Sequence, residues 1–242
     1  MAIIGARSCI VPFVLRSSPK GTILSRPVHL TPTSYALLGL LAVKPWTTYE
    51  LAKQMDRTLS RFWPRARSKV LEEPKKLVAL GLATAREEPV GRRPRTVYSI
   101  TTKGRKVLAA WVREPGGGPV LEFEQLLKVF FSDNGSRDDL LRALHEVRAG
   151  AYERTLRNVE VARSVLDRRT PFPRRDAVNQ LVGTFVMDFD DMVDRWAEWA
   201  IGIVEGWPDE PAAAEPDLVA VEATLRRAMD RTAQWRAATG PS

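Results

Sequence analysis

Apolar positions in this chain follow two regimes. Between residues 31 and 112 they come in short blocks, whereas beyond residue 136 they run as long, regularly spaced stripes. In the first regime Thr31 and Pro32 open a run containing Tyr35, Leu37, Leu38, Leu40 and Leu41. That run is too apolar for a surface helix, so the pattern predicts a core helix over 32–42, with Thr31 as N-cap and Pro32 at the first helical position. Thr47 and Glu50 form a capping box before a second helix that buries Leu51, Ala52 and Met55. A third helix is expected over about 66–80, with Val70, Leu71, Leu77 and Leu80 apolar and Gly81 as its stop. Pro74 interrupts it, removing a backbone bond and clashing with the carbonyl of Val70, at a cost of about 3 kcal/mol. The proline marks either a kink or the first turn of a second short helix, because Glu73 is itself biased away from α.

Two strand-like runs follow, 82–85 and 96–100, around the charged loop EEPVGRRPR, in which Gly91 supplies a turn. Thr101 then caps a fourth helix carrying Val107, Leu108, Trp111 and Val112. Helix, helix, helix, hairpin, helix is the order of a winged helix-turn-helix. EPGGGP at 114–119 breaks the chain after this module.

In the second regime Ser136 and Asp139 form another capping box, and Leu140, Leu144, Val147, Ala151, Leu156, Val159 and Leu166 mark one helix. After the break at 170–173, Val178, Leu181, Phe185, Phe189, Met192, Trp196, Trp199 and Ile203 mark the next. Each stripe spans roughly 30 residues, against an average of roughly 11–12 for globular helices. Two such helices make an antiparallel, coiled-coil-like hairpin too thin to bury its own aromatics, and a second copy of the chain supplies the missing surface. Leu144, Val147, Leu181, Phe185, Phe189, Met192, Trp196, Trp199 and Ile203 are the dimerisation candidates; packing on the first module is the competing use of these stripes. The expected organisation is a disordered extension over 1–30, a winged helix-turn-helix domain over 31–114, a helical dimerisation domain over 120–207, a linker over 208–216 and a further helix over 217–239. The fold class is mainly α.

Charge sharpens the division. Residues 31–114 carry 17 Lys/Arg against 7 Asp/Glu, a net of +10, and residues 115–242 carry 16 against 22, a net of −6. A basic module beside an acidic one points to an anionic partner for the first. Residues 1–30 add +4; they lack a basic start before their short apolar run and make a poor signal peptide, although a basic arm reaching DNA is a second use for them. No stretch approaches the roughly 20 apolar residues of a membrane span, and a cytoplasmic location is expected.

Cys9 is the one cysteine, and His29 and His145 stand in separate segments, so neither an intrachain disulfide nor a structural zinc site is expected. There is no phosphate-cradling glycine loop and no nucleophile elbow, and the pair Asp190-Asp191 lies on a long helix, so neither catalysis nor a cofactor is expected. Nucleic-acid chemistry fits better. A helix in the major groove needs cations for phosphates and short polar groups for base edges. The third helix offers Arg65, Arg67, Ser68, Lys69 and Lys75, and the hairpin tip offers Arg92, Arg93 and Arg95. Arginines on a narrow loop suit a wing that touches phosphates or enters the minor groove.

The runs TPTSYALLGLLAVKPWTTYELAKQM, RSKVLEEPKKLVALGLATA and GRRPRTVYSITTKGRKVLAAWV together resemble the PadR family of bacterial transcriptional regulators. The family's third helix often reads Ser-x-x-Tyr-x-Glu-Pro-x-x-Leu-x-x-x-Gly-Leu. This chain matches at Ser68, Glu73, Pro74, Leu77, Gly81 and Leu82 and departs at Leu71, where the family usually has Tyr. FEQLLKVFFSDNGSRDDLLRAL and RWAEWAIGIVEGW resemble the virulence-activator-type C-terminal domain of long PadR-like proteins. The resemblance implies a homodimeric, sequence-specific regulator, a repressor, whose C-terminal helices intertwine and whose wings straddle a pseudo-palindromic operator in double-stranded DNA. It also suggests a small aromatic effector as a partner, held in a flat cavity between protomers by Trp111, Trp196, Trp199 and Trp207; dimer core is the alternative use of these tryptophans. A winged helix that docks protein instead of DNA is a further class.

Overall fold

The computed structural model describes residues 30–63, 67–90 and 93–240; the expected N-terminal extension lies outside them but for its last position. The chain divides between Pro115 and Gly116 into two compact units.

The first unit is a helical cluster with a small sheet. Helix α1, Pro32–Val43, starts at Thr31, whose hydroxyl accepts from the Ser34 amide while Ser34 Oγ accepts from the Thr31 amide. Its residues Leu37, Leu38 and Leu41 are fully buried. The two-residue strand β1, Trp46–Thr47, leads into α2, Thr48–Thr58, capped by the Thr47–Glu50 box. There the Thr47 amide and hydroxyl both donate to the Glu50 carboxylate, each at 2.8 Å, and hold its pKa below the ordinary value. α3 runs Arg67–Ala79, followed by β2, Ala83–Val90, β3, Arg93–Ile100, and α4, Thr102–Trp111. The sheet order is β1-β3-β2, antiparallel throughout, with Trp46 opposite Tyr98. Tyr35 of α1 and Trp111 of α4 stack, with ring centroids 4.7 Å apart and planes 6° from parallel.

Two sequence expectations are resolved here and one element is new. α3 is one continuous helix through Pro74, with no second helix after it. Its proline ring is buried, and that burial offsets the lost backbone bond. The stretch read as a charged loop is mostly strand: β2 and β3 pair in register from Ala83–Ile100 to Val90–Arg93, bringing Pro89 opposite Pro94. β1 was not anticipated, since two residues carry no period and form a strand only because β3 lies beside them.

The second unit is built on two long helices. α5, Glu124–Phe130, is followed by a 3₁₀ turn at Ser132–Asn134 and then by α6, Arg137–Leu166, of 30 residues. A second 3₁₀ turn at Pro173–Arg175 leads into α7, Asp176–Val204, of 29 residues. α5 escapes sequence reading because Phe123 gives it no side-chain cap and it lasts only seven residues. α6 and α7 pack lengthwise as a hairpin through Leu140, Leu144, Val147 and Ala151 on one side and Val193, Ala197, Ile201 and Val204 on the other. Asp190, 1% exposed, accepts from Arg154 Nε at 2.6 Å and Asn158 Nδ2 at 3.1 Å across this seam. Removing Arg154 would take away the ion pair that this buried carboxylate makes across the seam. A 3₁₀ turn at Pro211–Ala213 lies within the expected linker, and α8, Leu218–Thr239, follows.

Candidate nucleic-acid interface

α3 has one face in the core and one outside. Val70, Pro74 and Leu77 are buried, and Glu73 beside them ties the helix to α1 by accepting a hydrogen bond from Ser34 Oγ. Glu73 also pairs with Lys76 at 3.2 Å. On the opposite face Leu71, Glu72 and Lys75 are exposed. Leu71 is apolar in the sequence pattern, but the helix turns it outward, because Val70, Pro74 and Leu77, spaced four and three apart, define the inward face. Arg67, Ser68 and Lys69 form the first turn of α3, whereas Arg65 lies outside the described residues.

The wing is the β2–β3 hairpin. Arg95 sits opposite Glu88 and donates to its Oε2 from Nη2 at 3.0 Å and from Nε at 3.3 Å. This exposed pair is worth little in water, so a phosphate can compete for the guanidinium at small cost. Arg93 opens β3 opposite Val90, and Arg92 lies outside the described residues. At Pro89 and Pro94 neither strand has a backbone donor, which weakens the ladder near the tip.

A single junction fixes helix and wing together. Gly81, at φ +68°, ends α3: its amide donates to Val78 O and the Leu82 amide to Leu77 O, both at 2.9 Å. That double bond pattern needs a left-handed residue at the turn, which glycine supplies. The Thr101 amide then donates to Leu82 O at 3.0 Å and its hydroxyl to Gly81 O at 2.8 Å, while that hydroxyl accepts from Gly104 N at 3.0 Å. Gly104 passes so close that a Cβ there would lie 2.1 Å from Leu82 O. The end of α3, the start of β2 and the start of α4 thus form one rigid corner. Sequence reading found Gly81 and Thr101 as separate stops and caps and missed Gly104, whose role arises from a contact distant in sequence.

In the second unit the dimerisation candidates divide. Leu144 and Val147 are buried between α6 and α7 of the same chain and hold the hairpin together. Phe189, Trp196 and Ile203 are half-buried, while Leu181 (73% exposed), Phe185 (61%), Met192 and Trp199 (54%) face outward along α7. Trp196, Trp199 and Trp207 line an apolar cleft of about 180 Å³ with Leu140, Ile203 and Ser132. Trp111 belongs to the first unit, where Tyr35 covers one face of its ring. Among the described residues, no cluster of His, Cys, Asp and Glu could hold a metal ion, and no helix is long and apolar enough to cross a membrane.

Comparison with known proteins agrees with this geometry. Residues 37–110 match the model of the transcriptional regulator PadR-like family, and residues 124–205 match the virulence activator alpha C-terminal model. The negative transcriptional regulator PadR of Bacillus subtilis (strain 168) is 28% identical over 183 residues, covering 71% of this chain and 96% of the relative. Bacillus subtilis PadR solved in complex with operator DNA superposes with a TM-score of 0.61 at 22% identity, over 71% of this chain and 98% of that one. The same protein solved with p-coumaric acid gives a TM-score of 0.57 at 21% identity, over 74% of this chain and all of the other, 100%. The chain thus carries a PadR-like transcriptional-regulator domain followed by a virulence-activator-type C-terminal domain.

Proposed function

We propose that this chain is a cytoplasmic, homodimeric repressor that binds a pseudo-palindromic operator in double-stranded DNA. α3 of each protomer enters a major groove, and the β2–β3 wing meets the adjoining backbone or minor groove. The observation that carries this reading is the two-sidedness of α3: its inner face is locked by Val70, Pro74, Leu77 and the Ser34–Glu73 bond, and its outer face belongs to a module of net charge +10. Arg67, Ser68, Lys69, Lys75, Arg93 and Arg95 are the assigned contacts, with Arg65 and Arg92 beside them in the sequence. The operator-bound Bacillus subtilis protein supports the partner.

Dimerisation is assigned to the outward face of α7, through Leu181, Phe185, Met192 and Trp199, with Phe189, Trp196 and Ile203 at its margin. Four large apolar side chains on one helix face lose less by pairing than by staying in water. Two-fold symmetry then presents the two α3 helices to half-sites about one helical turn apart, roughly 34–36 Å. A mobility shift of the chain's own promoter duplex tests the proposal: a discrete complex of two chains per duplex is expected. A complex with protein but none with DNA would instead favour a protein-docking winged helix.

A second reading adds an effector. The cleft lined by Trp196, Trp199 and Trp207 is otherwise apolar but for the side chain of Ser132. That chemistry suits a flat aromatic molecule, and the p-coumaric acid complex of the Bacillus subtilis protein supports an effector of that kind.

A further inference from the structure

Leu71 is the one large apolar side chain on the outer face of α3, 38% exposed, one turn beyond Arg67 and Ser68 and one turn before the exposed Lys75. It contributes nothing to the core that Val70, Pro74 and Leu77 build on the opposite side. It also sits at the centre of the helix stripe assigned above to the major groove, and this inference rests on that assignment. In such a groove the phosphates and nearly every base edge are polar, and a leucine beside them loses water without gaining a bond. The exception is the C5-methyl group of thymine, the only apolar feature that a base pair presents there. We infer that Leu71 is a specificity-determining residue that packs on the methyl group of one thymine in each half-site.

Its neighbours divide the labour. Lys75 carries charge for the backbone, and Ser68, three residues before Leu71 in the same helix, is the short polar residue among the contacts assigned above. Leu71 adds preference for thymine over cytosine at one position without adding affinity for random DNA. Burying one methyl against it amounts to about fourfold in affinity.

The test uses the full chain and duplexes recovered by selecting it against a randomised pool. Each thymine of a recovered duplex is replaced singly by deoxyuridine, which keeps the base pairing and removes only the methyl group. The wild-type chain is expected to lose about fourfold in affinity at one thymine per half-site and nothing elsewhere. L71A is expected to bind the thymine and deoxyuridine duplexes equally, with unchanged affinity for random DNA, and L71M, which keeps an apolar side chain, retains the discrimination. Far-UV circular dichroism verifies that both variants are folded. Discrimination that persists in L71A, or a wild-type chain indifferent to every replacement, overturns the inference while leaving DNA binding intact. Recovery of no duplex at all overturns the DNA-binding reading, and this inference with it.

Discussion

Ser34 donates its hydroxyl proton to the carboxylate of Glu73, so the first turn of α1 is bonded directly to the residue that precedes the buried Pro74 of α3. The same serine oxygen accepts from the Thr31 amide at 2.9 Å, which makes the cap of α1 and the seating of α3 one network. Hydrogen bonds to charged groups contribute about 1.5–3 kcal/mol when partly buried. Glu73→Ala and Ser34→Ala are therefore each expected to destabilise the first unit by about 1–3 kcal/mol. Their double mutant should cost less than the sum of the two, because they remove a shared bond. Chemical denaturation of the three variants checks this, and strict additivity would show that the bond is not made in solution.

Gly104 should be nearly irreplaceable. A methyl group at this position meets Leu82 O at 2.1 Å, and the obstacle is backbone held by the Thr101 amide. Gly104→Ala is expected to cost about 1–3 kcal/mol, the usual range for overpacking, and to weaken DNA binding beyond that loss by shifting the wing against α3. Thermal unfolding and duplex titration on the same sample separate the two effects. A variant of unchanged stability would mean that this corner is looser than the contact implies.

The wing and the helix should respond differently to charge removal. Lys75 is exposed on the outer face of α3, whereas Arg95 is shared with Glu88 across the hairpin. Lys75→Ala is expected to weaken binding to all duplexes alike and to reduce the salt slope by about 1. Glu88→Gln frees Arg95 and should strengthen binding modestly, most clearly at low salt. Titrations of the selected and a scrambled duplex check both; a Glu88→Gln variant that binds more weakly would show that the carboxylate orients Arg95 productively.

Acid should loosen the start of α6. Ser136 donates to Asp139 from its hydroxyl at 2.7 Å and its amide at 3.1 Å, and with Arg142 these bonds bring the carboxyl from the ordinary 3.8 down to about 2. A carboxyl whose pKa is lowered by folding stabilises the fold above its unfolded value, and that stability is lost as pH falls from about 4 towards 2. Asp139→Ala should therefore lower the unfolding temperature at neutral pH, with the gap to the wild type narrowing below about pH 4. A gap that stays constant down to about pH 2 contradicts this linkage.

The Trp-lined cleft predicts an optical signal. A flat aromatic molecule that seats against Trp196, Trp199 and Trp207 should quench their fluorescence and release the chain from DNA at the same concentration. Trp199→Ala is expected to abolish both responses. Quenching without release would leave the cleft as a binding site uncoupled from regulation.

Much of this arrangement was legible in the sequence, and what was legible was local. Thr47 with Glu50, Ser136 with Asp139 and Gly81 after Leu77 each report a helix end within a few residues, because capping is a short-range bond. Features that depend on a distant partner were hidden. β1 exists because β3 lies alongside it, the hairpin runs through Pro89 and Pro94 because its ladder is anchored at Ala83–Ile100, and Gly104 matters because Leu82 comes to it. The stripe on α6 foretold an apolar face but not its partner, and Leu144 and Val147 went to α7 of the same chain. Leu71 reads as apolar in the sequence, and its outward position follows only from helix geometry: one residue after Val70 is a rotation of about 100°, enough to leave the core.

The central claim is that the basic first unit binds DNA through α3 and the wing, and the most direct measurement is the affinity of the full chain for a selected duplex across a salt series. Several phosphate contacts per protomer predict a straight line of log affinity against log salt, with a slope of about −0.9 for each phosphate neutralised, and a separate, weaker line for scrambled duplex. A single line shared by both duplexes, or an affinity indifferent to salt, would contradict the account.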